Sequence, residues 1–427
     1  MSIDGLSVSQ IGMHAAAASD INAGDTAWLL VSAALVMLMT PALAFFYGGM
    51  VRQKNVLATI MQSFVIVAII SVQWVLWGYS LAFGPDVRGI IGNLDWFGLN
   101  GVGLLPNPNY APTVPHQAFM IYQGMFAVIT PALITGAFAE RMKFKSFLMF
   151  VVLWATFIYD PVAHWMWGQG GWLHSMGSLD FAGGIVVHVS SGFAALAAAM
   201  VLKKRIGLEE EAIEPHDPTM IVLGAAFLWF GWFGFNAGSA LTSGALATSA
   251  FVVTNTAAAM GALAWMTMSW WMSGKPSVIG TVCGAIAGLA AVTPAAGFVG
   301  PMAAVIIGLV AGIICYLACH LKARTNFVDD SLDVMGVHGV GGVWGSLAIG
   351  LFGSVAINAA GANGLFYGNS GQLGIQLIAV AATAIYSFVL TIGILKLIDV
   401  IFGLRVEPRE EVHGLDLTQH GEAAYSI

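Results

Sequence analysis

Charge is scarce in this sequence: Lys and Arg number 15 and Asp and Glu 22 among 427 residues, 9% charged against 58% hydrophobic. A soluble chain of this length must cover itself with polar groups, and this one lacks them. A mean hydropathy of +0.83 says the same. Cysteine is nearly absent: Cys283, Cys315 and Cys319 lie within or at the end of apolar runs, which excludes a disulfide framework and reads as small buried hydrophobes. The polar segments contain no nucleotide loop, metal-ligand cluster or nucleophile elbow, so an enzyme is the least expected class and no cofactor is implied. Paired NPA-type motifs are missing too, which argues against an aquaporin-like channel.

What is abundant is long apolar sequence. Eleven nearly uncharged runs fall at about 27-50, 56-83, 116-138, 146-163, 181-202, 218-240, 249-272, 278-297, 299-319, 334-353 and 374-400. Each is near the ~20 residues needed to cross ~30 Å of hydrocarbon as a helix. They are too long for barrel strands, so the backbone must satisfy itself helically. The expected fold is an all-α integral membrane bundle of 11 transmembrane helices.

Of the basic residues, Arg52, Lys54, Arg141, Lys143, Lys145, Lys203, Lys204, Arg205, Lys275, Lys322, Arg324, Lys396, Arg405 and Arg409 fall on one side of this topology and Arg88 alone on the other. The positive-inside rule makes the basic side cytoplasmic, with the N-terminus outside and the C-terminus inside. The chain then divides into an extracytoplasmic segment 1-26 without a recognisable signal peptide, a membrane domain 27-400 and a cytoplasmic tail 401-427.

The longest polar loop, Lys203 to Pro218, separates five spans from six, and one histidine sits inside the fifth span of each set: His188 and His338. Five is odd, so a duplicated second set must enter the membrane inverted. This is the 5+5 inverted repeat plus a final helix that places a site near the midplane. Leu179-Asp180 and Leu332-Asp333 precede the two histidine spans and read as caps for orphan helix donors, with Asp180 also able to draw cations to the outer mouth. Gly280, Gly284, Gly288, Gly308 and Gly312 form small-xxx-small faces for close helix packing. Pro131, Pro161 and Pro294 are candidate kinks.

The motifs NVLATIMQS, QGMFAVITPALITGAFAERMKF, AHWMWGQGGWL, LDFAGGIVVHVSSG, GWFGFNAGSAL, DDSLDVMGVHGVGG and GLRVEPREEVHGLDLTQHGEAAY resemble the ammonium transporter (Amt/Rh) family, its bacterial and archaeal Amt branch above all, from about Thr26 to Tyr425. The resemblance implies an outer ammonium-recruiting site of Trp167, Tyr122, Phe126 and Ser239, with Asp180 nearby. A desolvated cation is drawn to aromatic faces by roughly 2 kcal/mol, and a hydroxyl accepts an N–H bond. Tyr122 stands where the family often has Phe. The resemblance further implies a gate of Phe126 and Phe235 and a proton-relaying, pore-lining pair in His188 and His338.

It also implies a regulatory tail carrying Gly403, Arg405, Gly414, Asp416, His420, Gly421, Glu422 and Tyr425, a homotrimer in the cytoplasmic (inner) membrane, a possible PII-type regulator, and methylammonium as a substrate analogue. The mechanism implied is recruitment of ammonium, deprotonation and conduction of ammonia with electrogenic return of the proton. A sensor, or a neutral gas channel of the same fold, is the alternative. Asp160 departs from the family pattern, a carboxylate expected either to attract cations at the mouth or to cap the following turn.

Overall fold

The computed structural model describes residues 21–210 and 213–425, so the first twenty residues of the expected N-terminal segment lie outside the described residues. Among these, eleven helices are long and apolar enough to cross a membrane: α1 (Ala23–Met50), α2 (Gln53–Phe83), α3 (His116–Phe138), α4 (Phe144–Ser175), α5 (Gly184–Leu202), α6 (Pro218–Ala240), α7 (Ala245–Ser273), α8 (Val278–Ala295), α9 (Pro301–Thr325), α10 (Met335–Phe352) and α11 (Gly371–Phe402). The protein is a multi-pass membrane protein. α3 and α6 have the expected limits. α4 runs well past the expected residue 163, because Pro161 sits in the first turn of its segment Asp160–Trp167, where a proline needs no N–H partner and breaks nothing.

The glycine stripes do their packing inside the bundle. A Cβ on Gly288 of α8 would lie 2.2 Å from the Ala257 carbonyl oxygen of α7, and one on Gly308 of α9 would lie 2.3 Å from the same atom. α7, α8 and α9 are thus in backbone contact, which only glycine permits. Apolar side chains such as Phe64, Phe230, Leu263 and Val389 face outward and are exposed, as a lipid-facing surface requires.

The basic residues gather at one end. There Glu140 receives Arg52 and Arg205 at 2.9 and 3.0 Å, and Arg205 also grips Asp329 at 2.9 Å. Burial alone pushes the Glu140 and Asp329 carboxyls up, but the neighbouring guanidiniums outweigh it and hold both below the usual carboxylate range. This network ties the α1–α2, α3–α4, α5–α6 and α9–α10 connections together. At the opposite end the α2–α3 connection forms two small hairpins, Asp86–Val87 with Ile91–Gly92 and Pro106–Asn107 with Ala111–Pro115.

Candidate functional site

Both histidines stand in a single π-helical turn that opens their span: Gly184–Val189 for His188 and Met335–Gly339 for His338. Such turns add a residue to the helix and re-aim side chains, and they recur at functional sites. The Asp180 carboxylate accepts four backbone N–H bonds at the start of α5, from Gly183, Gly184, Ile185 and Val186 at 2.6–3.0 Å. At the start of α10 the corresponding acceptor is Asp330, which takes the Met335 N–H at 2.7 Å.

This corrects the reading from the Leu-Asp repeat. Asp333 pairs with Lys322 at 2.7 Å and occupies the left-handed region at φ 59°, as Gly183 does at φ 113°. Counted from each histidine, the capping aspartate lies eight residues back, the left-handed residue five back, and a glycine four ahead. The two spans run antiparallel and repeat these features, which is the inverted repeat at atomic scale.

The two forward glycines bring the histidines together. A Cβ on Gly192 would lie 2.3 Å from Gly339 Cα, and one on Gly342 would lie 2.8 Å from His188 Cβ. With the spans this close, His188 Nδ1 and His338 Nδ1 meet at 3.2 Å, one ring donating to the other. The rings are 16° from parallel, and His188 also stacks at 24° on Trp232, whose indole donates to Thr293 Oγ1 at 2.8 Å. Both histidines are buried, and the remaining ring nitrogen of His188, Nε2, has no partner among the described residues.

The two histidines line a small cavity bounded also by Met39, Leu43, Ile129, Leu133 and Leu228. Its free volume of about 10 Å³ is room for a single water-sized molecule. Beyond His338, toward the basic end, a cavity of about 200 Å³ opens between Tyr47, Cys283, Ile286, Asp333 and Val337.

On the other side Phe235, which also lines the small cavity, packs on Phe126 with ring centroids 4.3 Å apart. Trp167 stands over Phe126 at 6.0 Å and 84°, its indole fixed by an N–H bond of 2.8 Å to the Asp180 carbonyl. Ser239 is half-buried and donates to the Phe235 carbonyl at 2.9 Å. Tyr122 is fully buried behind them. Burial pushes the Asp180 carboxyl up to about 6 against the N–H donors that pull it down, so its oxygens serve the helix end and its carbonyl serves Trp167. Asp160 lies neither at the mouth nor at a cap: it is buried inside α4 and accepts from Gln73 of α2 at 2.8 Å.

Sequence reasoning missed Gln376, whose amide brackets the Leu179 backbone by accepting its N–H and donating to its carbonyl, both at 2.8 Å, while also donating to the Ser346 carbonyl at 3.1 Å. It thereby fixes the strand of chain that presents Asp180. The signal was available: Gln372 and Gln376 are amides one turn apart in an otherwise apolar span, which lipid tolerates only when they are bonded.

At the basic end the tail is docked. Arg405 donates to the Leu202 and Lys204 carbonyls at 2.9 and 2.7 Å and pairs with Glu411. Asp416 accepts from the Leu57 and Ala58 N–H groups at 3.0 and 2.8 Å, a cap for α2 supplied from the far end of the chain. Gly403 and Gly414 turn at φ 69° and 105°, and Tyr425 meets His216 Nε2 at 3.1 Å.

Eleven apolar spans around a small histidine-lined cavity, with a close aromatic pair beside it, define a polytopic membrane protein. The chain belongs to the Ammonium Transporter Family, whose sequence profile matches residues 27–425. It is 52% identical over 402 residues to the ammonium transporter of Bacillus subtilis, covering 94% of this chain and 98% of that one. It is 52% identical over 403 residues to ammonium transporter Amt1 of Archaeoglobus fulgidus, covering 94% and 99%. Among solved structures, Mep2 of Candida albicans superimposes with a TM-score of 0.88 at 40% identity, covering 96% of this chain and 91% of that one.

Proposed function

We propose that this chain carries ammonium across a cytoplasmic membrane by separating it into ammonia and a proton. The observation that carries the reading is the pair of buried, mutually bonded histidines, one with a ring nitrogen unpartnered among the described residues, lining a cavity too small and apolar for a hydrated ion. Ammonium is recruited at Trp167, Phe126 and Ser239, with Tyr122 behind them. The aromatic faces attract the cation and the serine hydroxyl accepts one of its N–H bonds. The closely packed, tilted Phe126 and Phe235 rings bar a hydrated cation, so water is shed there, the proton passes to Nε2 of His188, whose ring lies 6.1 Å from Phe235, and ammonia enters.

Each imidazole offers one donor and one acceptor, so the His188–His338 pair can pass a proton by exchanging roles while ammonia moves alongside. Potassium has the size and charge of ammonium but no proton to release, and is rejected at this step. Returning the proton makes transport electrogenic. The basic end is cytoplasmic by the positive-inside rule, with the N-terminus outside. The tail, residues 401-427, is the regulatory segment, open to a PII-type protein, and the assembly is a homotrimer. The test is uptake of labelled methylammonium into proteoliposomes. Competition by ammonium and none by potassium supports the reading, and equal competition by potassium overturns it.

A further inference from the structure

The resemblance implies Tyr122 in the recruiting site, and its hydroxyl turns to the end of α6. It lies 3.0 Å from the Gly234 carbonyl, 2.9 Å from the Phe235 carbonyl and 3.1 Å from Ser239 Oγ, and the residue has no exposed surface. The last carbonyls of a helix run out of partners within it; the Gly234 carbonyl still receives the Gly238 N–H, so the Tyr122 hydroxyl is a second donor there. α6 ends here: its regular part stops at Ala237, a 3-10 turn follows over Gly238–Ala240, and Leu241 turns into the left-handed region at φ 57°. The hydroxyl reaches these carbonyls because Gly238 leaves space, a Cβ there falling 2.7 Å from the Tyr122 oxygen.

We infer that Tyr122 is a positioning residue: its hydroxyl, borne on α3, caps the end of α6 and so fixes both the gate ring of Phe235 and the acceptor hydroxyl of Ser239. The inference deepens the ammonium reading and rests on it for its functional consequence, while the cap itself does not.

The hydrogen count explains the effect on Ser239. Around this knot are two hydroxyl protons, those of Tyr122 and Ser239, and four oxygens able to accept. Ser239 donates to the Phe235 carbonyl; the Tyr122 proton is shared among the Gly234 carbonyl, the Phe235 carbonyl and Ser239 Oγ. With its own proton on the Phe235 carbonyl, Ser239 keeps two lone pairs and has one donor within reach, the Tyr122 hydroxyl at 3.1 Å, so at least one lone pair is left for a cation carrying N–H groups. A phenylalanine at position 122 would preserve the ring contact with Phe126, at 5.0 Å and 71°, and lose the cap.

The variant is therefore Tyr122→Phe, which deletes one oxygen from a packed ring. Two readouts are needed. Hydrogen–deuterium exchange in detergent should quicken across residues 234–241 by roughly two- to tenfold, the net strength of one hydrogen bond, and unchanged exchange there overturns the cap whether or not the protein carries ammonium. In proteoliposomes the ammonium concentration for half-maximal current should rise by a similar factor with the maximal current kept or raised, since the gate is looser. In a Ser239→Ala background the same substitution should move the half-saturation less. A half-saturation identical to the parent's, or an effect undiminished in the Ser239→Ala background, overturns the coupling to the gate. Loss of maximal current alone marks a merely structural residue and also overturns it.

Discussion

The meeting of the two histidines depends on a glycine that carries no chemistry. In Gly192→Ala the new methyl would lie 2.3 Å from Gly339 Cα and 2.5 Å from Gly339 N, whereas unbonded carbons rest at ~3.5–4.0 Å, so α5 and α10 must part by roughly 1 Å or more. Both obstacles are backbone atoms, which cannot rotate away. One turn from the contact, the Nδ1–Nδ1 bond of 3.2 Å would then pass the hydrogen-bond limit. Overpacking costs about 1–3 kcal/mol and the lost bond about 0.5–1.5 kcal/mol. The unfolding midpoint of the detergent-solubilised variant should fall accordingly, and its ammonium-evoked current should collapse. Gly374→Ala is the control, because nothing lies within 4 Å of a Cβ there. If Gly192→Ala kept the parent's midpoint and current, the histidine pair would not depend on this backbone contact.

Three further outcomes are expected. Trp167→Leu should raise the half-saturating ammonium concentration about 2- to 30-fold, as the loss of ~0.5–2 kcal/mol of cation–π attraction requires, with the maximal rate retained; an unchanged value removes Trp167 from recruitment. Glu140 and Asp329 have depressed native pKa values, so the stability they contribute is present above the unfolded carboxylate pKa near 4 and is lost as pH falls through the native values. Melting scans from pH 7 to pH 3 should show this loss, and Glu140→Gln should blunt it. Asp416→Asn weakens the acceptor at the Leu57 and Ala58 N–H groups, a cap worth about 0.5–2 kcal/mol. Limited proteolysis between Gly403 and Tyr425 should quicken, and an unaltered rate means the tail is held by other contacts.

The spans were legible because a membrane imposes length and hydropathy on each separately, and α3 and α6 could be bounded to the residue. The end of α4 was not, because hydropathy fades in HWMWGQGG while the backbone stays helical as far as Trp167. Trp167, Phe126, Phe235, Ser239 and the two histidines do come together, as the motif resemblance implied. The geometry that joins the histidines was hidden. The Leu-Asp dipeptides matched Asp180 to Asp333, whereas the fold matches Asp180 to Asp330, since the repeat is kept in backbone conformation and distance from the histidine rather than in residue type. Asp160 was misplaced for a related reason: sequence gives the span that carries a polar group but not the neighbour it meets, and its carboxylate turns toward another helix.

The most direct measurement is the current evoked from proteoliposomes on a solid-supported membrane by pulses of ammonium, methylammonium and potassium, for the parent protein, Trp167→Leu and His188→Ala. Charge movement with ammonium and methylammonium, none with potassium, and weakening in both variants is the predicted result. Internal alkalinisation by ammonium without any current, or a potassium current equal to that of ammonium, would contradict electrogenic transport by splitting ammonium at this site.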